Sequence, residues 1–349
     1  TIDAGLLPRL PLLGALLQLE LPDNELTASL DAKTRKQALE GMLVDCLVAL
    51  ASAQPLAIVL EDCQWLDALS HDLLEALCAA SLPLLFVYIF RPFELDRLRD
   101  ARVSALPHHT LIEVGPLSSA EAAAFVRARI AHLAPGDRPI PESLVERITA
   151  GAEGNPFFLA ELVNYLHFRG ADFTDPTALD HIALPDSLQR LVLSLVDRFS
   201  ERQKITVKVA SVVGRVFRAA WLWGAYPQLG DPARVRTDLE TLQRQELLLP
   251  ESDEADLTYF FRQAIMQGVT YESLPHAVKV TLHEQIGAFL ESRYATRLDQ
   301  YLDLLAFHYD RSENLEKRRL YLRRAGEAAQ AGYANLAAID YYARVLPLL

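Results

Sequence analysis

The sequence predicts an α/β region with parallel strands, followed by a longer all-α region. Two apolar runs, residues 56–60 and 82–90, flank a helical pattern, as in a strand–helix–strand unit with parallel strands. From residue 117 onward, apolar residues recur mainly at helical spacing, with breaks at Gly and Pro. The chain has 349 residues, 51% of them apolar, which is enough material for two or three domains with packed cores.

The charge balance and the cysteine content argue against several classes of protein. The net charge of −12 opposes non-specific binding to nucleic acid and to anionic membranes, because both need a positive surface. Cys46, Cys63 and Cys78 form no C-x-x-C pair, which argues against a disulfide framework or a zinc site. The longest apolar run, 82–90, is about half of the roughly 20 residues that a membrane helix needs, and no signal-peptide pattern is visible. We expect a cytoplasmic protein that binds neither nucleic acid nor membranes.

The α/β part is predicted to contain three strands and two helices. Asp31 is the expected N-cap of the first helix. Because the apolar runs are continuous rather than alternating, we expect strands that are covered on both faces. In chain order, the predicted elements are helix 31–52, strand 56–60, helix 70–80, strand 82–90 and strand 110–114.

The rest of the chain is predicted to be helical, apart from strand-like residues near 257–262. Ser118 and Glu121 have the spacing of a capping box, and residues 172–186 are typical of a linker. The pattern of residues 187–291 indicates a winged-helix-like domain, and two short helices joined near Gly332 resemble the first unit of a tetratricopeptide-like array. The predicted domains are 1–116, 117–184, 185–295 and 296–349.

Two adjacent carboxylates, Glu61 and Asp62, end the first predicted strand in "LAIVLED". At that position Glu61 can help to hold magnesium, and Asp62 can orient an attacking water. The alternative is a solvated strand end. Trp65 is most simply a packing residue, and Asp67 is most simply the N-cap of the next helix.

A phosphate-binding loop, G-x-x-x-x-G-K-[ST], is absent. In that loop the backbone amides surround the phosphates and the lysine reaches their oxygens. No lysine of the chain follows a glycine: the six are Lys33, Lys36, Lys204, Lys208, Lys279 and Lys317. The sequence also lacks histidine pairs with metal-ligand spacing.

Two further positions admit a functional and a structural interpretation. Arg91 follows the second strand, where it can reach a phosphate at the carboxyl edge of a parallel sheet or lie in a surface turn before Pro92. Gly154 and Pro156, in "GNP", can belong to a binding motif or simply break a helix.

Several motifs together resemble one family, in the same order along the chain. They are similar to the STAND class of AAA+-related signalling ATPases, in particular to bacterial members found with class III adenylate/guanylate cyclase domains and tetratricopeptide repeats. The motifs are "LAIVLEDCQWLDALSHDLLEAL", "LPLLFVYIFRP", "IEVGPLSSAEAAAFV", "GNPFFLAELV" and "FFRQAIMQGVTYESL".

The resemblance implies a fold and roles for particular residues. The fold would be α/β plus all-α: a partial P-loop-type parallel sheet, a helical lid, a winged-helix-like domain and the start of a tetratricopeptide-like helical array. Glu61 and Asp62 stand at the two Walker B positions, with Asp62 also catalytic, and Arg91 stands at the sensor-arginine position. Gly154 and Pro156 match the G-x-P motif near the adenine. The implied cofactors are ATP or ADP and Mg²⁺, and the phosphate loop would precede Thr1.

The chain departs from the family at two positions. Gln64 stands where histidine usually precedes the tryptophan. Gln263 follows "FR" where related proteins often have a histidine near the phosphates. Glutamine donates and accepts hydrogen bonds but carries no charge, which weakens the expectation of tight diphosphate sensing.

The resemblance implies a nucleotide-dependent switch that belongs to a slow ATPase and controls an attached cyclase or another effector. Protein partners would bind through the helical repeats. The chain by itself is expected to be inactive. One alternative is a nucleotide-independent interaction scaffold, and another is a winged-helix transcription regulator, which the balanced charges of residues 185–295 disfavour.

We expect no specific binding to duplex DNA, because the chain is acidic and its winged-helix-like region lacks a basic recognition helix. Fluorescence anisotropy at about 0.15 M salt, where charges more than roughly 8 Å apart are screened, checks this. Submicromolar affinity would contradict it.

Overall fold

A computed structural model describes most of the chain. The described residues are 4–17, 19, 21–79, 84–91, 109–136, 139–180, 182, 184–251 and 257–348. They form two compact units. One comprises Thr1–Leu111 together with Tyr294–Leu349, and the other comprises Ile112–Arg293.

In the first part of the chain, the described residues form a parallel strand pair, four α-helices and a 3-10 helix. Asp31 accepts a hydrogen bond from the Thr34 amide at 2.7 Å and caps the longest of these helices, as predicted. Strands β1 and β2 pair in parallel, with Leu56 opposite Leu84 and Leu60 opposite Tyr88. The predicted parallel strand–helix–strand unit is therefore confirmed. Its elements are a 3-10 helix (Ala4–Leu12), α1 (Leu13–Leu17), α2 (Glu25–Ala28), α3 (Ala32–Ala53), β1 (Leu56–Leu60), α4 (Ala68–Ala79) and β2 (Leu84–Tyr88).

The strands are not covered on both faces, so that prediction was wrong. Along β1 and β2 exposed and partly buried side chains alternate, and Val59 and Leu85 are 56% and 61% exposed. On the other face, Leu60 and Tyr88 pack around Cys63. A continuous apolar run makes burial on both faces favourable, but packing partners decide whether it occurs.

The predicted third strand, residues 110–114, does not form. This segment has no regular secondary structure, and Leu111, Ile112 and Val114 are exposed. A short apolar run has a local preference for extended backbone, but a strand exists only where another strand pairs with it.

The second unit begins with three helices packed on one another, α5 (Ser119–Leu133), α6 (Glu142–Ala150) and α7 (Pro156–Phe168), here called the α5–α7 segment. The predicted capping box of Ser118 and Glu121 is present at the start of α5. Val126, Leu144 and Leu162 are buried in one core, which also includes Leu191 of the following helix.

The remainder of this unit combines helices with a small antiparallel sheet in the order β3–β5–β4. We call it the β3–β5 segment. The described residues of 187–291 are mostly helical, and the strand-like residues near 257–262 form β5, as predicted. Its elements are α8 (Leu188–Val196), α9 (Glu201–Val213), β3 (Val216–Arg218), α10 (Ala219–Ala225), α11 (Pro232–Arg244), β4 (Leu248–Pro250), β5 (Thr258–Phe261), α12 (Ala264–Glu272) and α13 (His276–Arg293).

The last three helices are α14 (Leu302–Asp310), α15 (Leu315–Ala331) and α16 (Asn335–Val345). The Tyr309 and Tyr321 rings stack with centroids 5.2 Å apart, joining α14 to α15. A Cβ at Gly326 would lie 2.8 Å from the Tyr342 ring, so a glycine on α15 allows α16 to pack closely. The predicted helix pair joined near Gly332 is confirmed. No helix in the described part of the chain is long and apolar enough to cross a membrane.

A buried carboxylate joins α9 to α11. The Asp238 side chain is fully buried and accepts hydrogen bonds from Arg202 at 3.2 and 2.8 Å and from Thr206 at 3.4 Å. Removing one partner of such a pair lowers the free energy of unfolding by more than the pair itself contributes, because the remaining partner loses its hydrogen bonds.

We expect Asp238→Ala to lower the free energy of unfolding by about 1–3 kcal/mol, because Arg202 and Thr206 lose their shared acceptor. Urea denaturation followed by circular dichroism measures this. Arg190→Ala, which removes an exposed pair with Asp186, is the control and should stay within about 0.5 kcal/mol of the parent. If Asp238→Ala and Arg190→Ala lower the free energy of unfolding equally, Asp238 does not stabilise the packing of α9 on α11.

Candidate functional site

The loop after β1 holds the two predicted acidic residues, of which Asp62 has an unusual backbone conformation. Glu61 is exposed, and Asp62 is half-buried with left-handed backbone angles, φ 54° and ψ 40°. The Gln64 amide nitrogen donates a hydrogen bond to Asp62 Oδ1 at 3.1 Å. Left-handed conformations are uncommon for residues other than glycine and concentrate at functional sites and tight turns. Gln64 thus orients the carboxylate predicted to be catalytic.

Backbone hydrogen bonds attach this loop to the end of β2. The Ile89 amide donates to the Leu60 carbonyl at 2.8 Å, and the Cys63 amide donates to the Ile89 carbonyl at 3.0 Å. The Cys63 side chain is buried against Cys78 and Tyr88, and burial raises the pKa of its thiol. These contacts fix the loop that carries the acids, and they leave Cys63 a poor nucleophile.

Asp67 is the N-cap of α4, as predicted. It accepts hydrogen bonds from the backbone amides of Leu69 and Ser70 at 2.9 and 3.0 Å and from the Ser70 hydroxyl at 2.6 Å. Partial burial raises the pKa of Asp67, but the hydrogen bonds from Ser70 and Leu69 outweigh it, so the net pKa is lowered. Its role is structural. The side chain of Trp65 lies outside the described part of the chain.

Arg91 is exposed and follows the end of β2 by three residues. Because β1 and β2 are parallel and paired in register, the residues after Leu60 and after Tyr88 emerge at the same edge of the sheet. The strand ends that precede Glu61 and Arg91 therefore lie at one edge of the sheet.

Two residues at the same end of the sheet, Tyr88 and His109, were not identified as site residues from the sequence. The Tyr88 hydroxyl hydrogen-bonds to His109 Nε2, and the Tyr88 ring stacks on both Phe90 and His109. His109 lies 21 residues beyond Tyr88 in the chain. No local pattern links the two, so sequence reasoning had no signal for this contact.

The "GNP" motif forms a tight structural joint at the start of α7. Gly154 has φ +73°, and its carbonyl accepts a hydrogen bond from the Leu117 amide at 2.9 Å. A Cβ at Gly154 would lie 2.3 Å from the Leu117 carbonyl oxygen. Asn155 caps α7 through the amides of Phe157 and Phe158, and Pro156 occupies its first turn, exposed. The motif therefore has a structural role, and the exposed Pro156 ring is available for contact.

Gln263 occupies the N-cap position of α12, and its exposed side chain makes no capping hydrogen bond. Its neighbour Arg262, which sequence reasoning did not single out, pairs with Glu246. The structure thus places Gln263 at a helix start with its amide directed to solvent.

The predicted site residues fall in both compact units. Glu61, Asp62 and Arg91 belong to the unit that includes Thr1–Leu111, whereas Gly154, Pro156 and Gln263 belong to Ile112–Arg293. Among the described residues, no group of three or more His, Cys, Asp or Glu could hold a metal ion. Two carboxylates suit Mg²⁺ only if water or phosphate oxygens supply the remaining ligands, which is a common arrangement for this ion.

Comparison with known proteins found one distant similarity. No family model matches the chain. An uncharacterized protein of Rhizobium meliloti (strain 1021) is 22% identical over 329 residues, which cover 93% of this chain and 31% of the relative. The chain thus spans about a third of the length of the curated relative that it matches, and the relative's name assigns no activity.

We expect Gly154→Ala to lower the free energy of unfolding by about 2–5 kcal/mol, because the new Cβ adds left-handed strain and a clash with the Leu117 carbonyl. Urea denaturation of the purified chain measures it.

Two matched glycines separate these contributions. Gly170 has φ +75°, but an added Cβ would meet open space, so Gly170→Ala should lower the free energy of unfolding by only about 1–2 kcal/mol. Gly151 has φ −92° and open space, so Gly151→Ala should be neutral or slightly stabilising. If Gly154→Ala and Gly170→Ala lower the free energy of unfolding equally, the close contact with the Leu117 carbonyl adds nothing to the cost of a side chain at Gly154.

Proposed function

We propose that this chain is the regulatory part of an ATP-binding signal-transduction ATPase of the STAND class. The observation that carries the proposal is the edge of the parallel strand pair, where Glu61 and Asp62 follow β1 and Arg91 follows β2. Ligands of open α/β sheets bind at this edge, beyond the carboxyl ends of the strands.

Each residue at the edge has a role in phosphoryl transfer. Asp62, oriented by Gln64, would accept a hydrogen bond from the attacking water, and Glu61 would help to hold Mg²⁺, directly or through water. Arg91 would offset charge on the γ-phosphate. Mg²⁺, when bound, supplies further charge neutralisation.

The family resemblance suggests nucleotide-binding roles for three further residues, Gly154, Pro156 and Gln263. Gly154 and Pro156 would lie near the adenine, and Gln263 near the phosphates. Because Gln263 carries no charge, its contribution to phosphate binding would be a neutral hydrogen bond, weaker than that of a protonated histidine.

The helical part of the chain would act as a nucleotide-dependent switch. We propose that residues 117–184 are a helical lid, 185–295 a winged-helix-like domain and 296–349 the start of a tetratricopeptide-like array, attached to a partial P-loop-type domain at 1–116. In this scheme nucleotide state alters domain contacts in the cytoplasm and controls an effector, such as an attached nucleotide cyclase, and protein partners bind through the repeats.

A nucleotide-independent interaction scaffold is the second candidate. The observation that favours it is the absence of G-x-x-x-x-G-K-[ST] from all 349 residues. Under this alternative, the acids after β1 are remnants that have lost their chemical role.

We expect the 349-residue chain alone to release no phosphate from ATP above background, because it lacks the loop that binds the phosphates. A colorimetric phosphate assay with Mg²⁺ checks this. Turnover that disappears in Asp62→Asn would contradict the prediction.

In a longer natural polypeptide that contains this sequence, Asp62→Asn should reduce Mg²⁺-dependent ATP hydrolysis by about 10²–10⁴-fold, the usual contribution of a positioned general base. Glu113→Gln is the control, because Glu113 is exposed and outside the proposed site, and it should retain full activity. A longer polypeptide that neither binds nor hydrolyses ATP would support the scaffold instead.

A further inference from the structure

Two of the three cysteines are in contact behind the loop that follows β1. The Cys63 side chain is buried, and Cys78 and Tyr88 are among the residues that pack against it. Cys63 directly follows Asp62, and Cys78 lies near the C-terminal end of α4. Both thiols are free. The two side chains therefore meet between the loop and the helix without being joined by a bond.

The surroundings of Cys63 do not depend on its thiol hydrogen. Cys63 Sγ donates a hydrogen bond to the Leu60 carbonyl at 3.3 Å, and a thiol is a weak donor. The same carbonyl also accepts a hydrogen bond from the Ile89 amide at 2.8 Å. A covalent bond at Cys63 Sγ would therefore leave the Leu60 carbonyl paired with its backbone donor, so no acceptor is orphaned there.

The two thiols differ in their access to solvent. Cys78 is partly exposed, whereas Cys63 is buried. A dissolved oxidant can therefore reach Cys78 first, although burial raises the pKa of the Cys78 thiol and makes this step slow. Cys63 is a poor nucleophile toward dissolved reagents, but its contact with Cys78 gives it a high effective concentration for an intramolecular step.

We propose that Cys63 and Cys78 form a reversible disulfide, a redox switch that ties the loop carrying Asp62 to α4. The oxidant is a small disulfide of the glutathione class. Cys78 loses its proton to solvent, and its sulfur displaces one thiolate from the oxidant, which forms a mixed disulfide. Cys63, after losing its proton to solvent, attacks the Cys78 sulfur and displaces the second thiolate. Both released thiolates take up protons, so two protein thiols are oxidised and one small disulfide is reduced to two thiols.

The bond would restrict the loop after β1. In the reduced chain this loop is attached by the Cys63 amide, which donates to the Ile89 carbonyl at 3.0 Å, and by the Leu66 amide, which donates to the Cys63 carbonyl at 3.1 Å. Hydrogen bonds of this kind open locally, and a covalent link from Cys63 to α4 would make the opening rarer. Neither the bond nor its effect requires a nucleotide, so the test does not depend on the proposed function.

Mass spectrometry of the oxidised chain tests the bond. Cys46→Ser removes the third cysteine, which lies on α3, and leaves only the proposed pair. We expect oxidised glutathione to make the monomeric Cys46→Ser chain lighter by two hydrogen atoms, with the Cys63 and Cys78 peptides joined until dithiothreitol is added. The same chain unfolded in urea confirms that the reagent is active. A folded chain that stays reduced, or that carries only attached glutathione, overturns the proposal.

Two further variants in the Cys46→Ser background test the order of attack. With Cys63→Ser, Cys78 should keep one attached glutathione, because no second thiol is present to displace it. With Cys78→Ser, Cys63 should stay reduced, because it is buried. Attachment to Cys63 and not to Cys78 would contradict the proposed order.

Hydrogen exchange tests whether the bond acts as a switch. In the Cys46→Ser chain, the amides of residues 61–66 should exchange more slowly after oxidation and return to their original rates in dithiothreitol, because the link to α4 limits local opening. A disulfide that leaves these exchange rates unchanged would overturn the switch.

Discussion

The parallel pairing of β1 with β2 is the constraint on which the candidate site depends. In-register pairing brings the carboxyl ends of both strands to one edge, and the hydrogen bonds of Ile89 to Leu60 and of Cys63 to Ile89 extend the pairing into the next loop. That loop holds Asp62 in its left-handed conformation. Without this pairing, Arg91 would have no fixed position relative to Glu61 and Asp62, because it follows a different strand of the chain.

Two polar contacts fix the packing of helices in the second unit, beside its apolar core. The Gly154–Leu117 joint fixes where α7 begins, and Asp238 joins α9 to α11. Buried polar groups that are fully paired make a structure rigid. Both contacts therefore fix how the helices of this unit pack.

Local signals predicted much of the fold. Asp31, Asp67 and Ser118 were identified as helix caps because a side-chain oxygen placed before a helical pattern accepts amide hydrogen bonds within three residues. The acids at Glu61 and Asp62 were found because they directly follow an apolar strand. The predicted strand at 110–114 failed, since strand formation needs a partner strand that no local pattern specifies.

The sequence by itself determined the helix caps at Asp31, Asp67 and Ser118, the strand–helix–strand unit with β1 and β2, and the charged residues that follow these strands, because these features depend on neighbours a few residues apart. Only the tertiary structure decided that one face of β1 and β2 is exposed, that Gln64 donates a hydrogen bond to Asp62, and that His109 contacts Tyr88. Burial and charge pairing depend on which surfaces pack together. That information lies in contacts between residues far apart in the chain, where sequence spacing carries no signal.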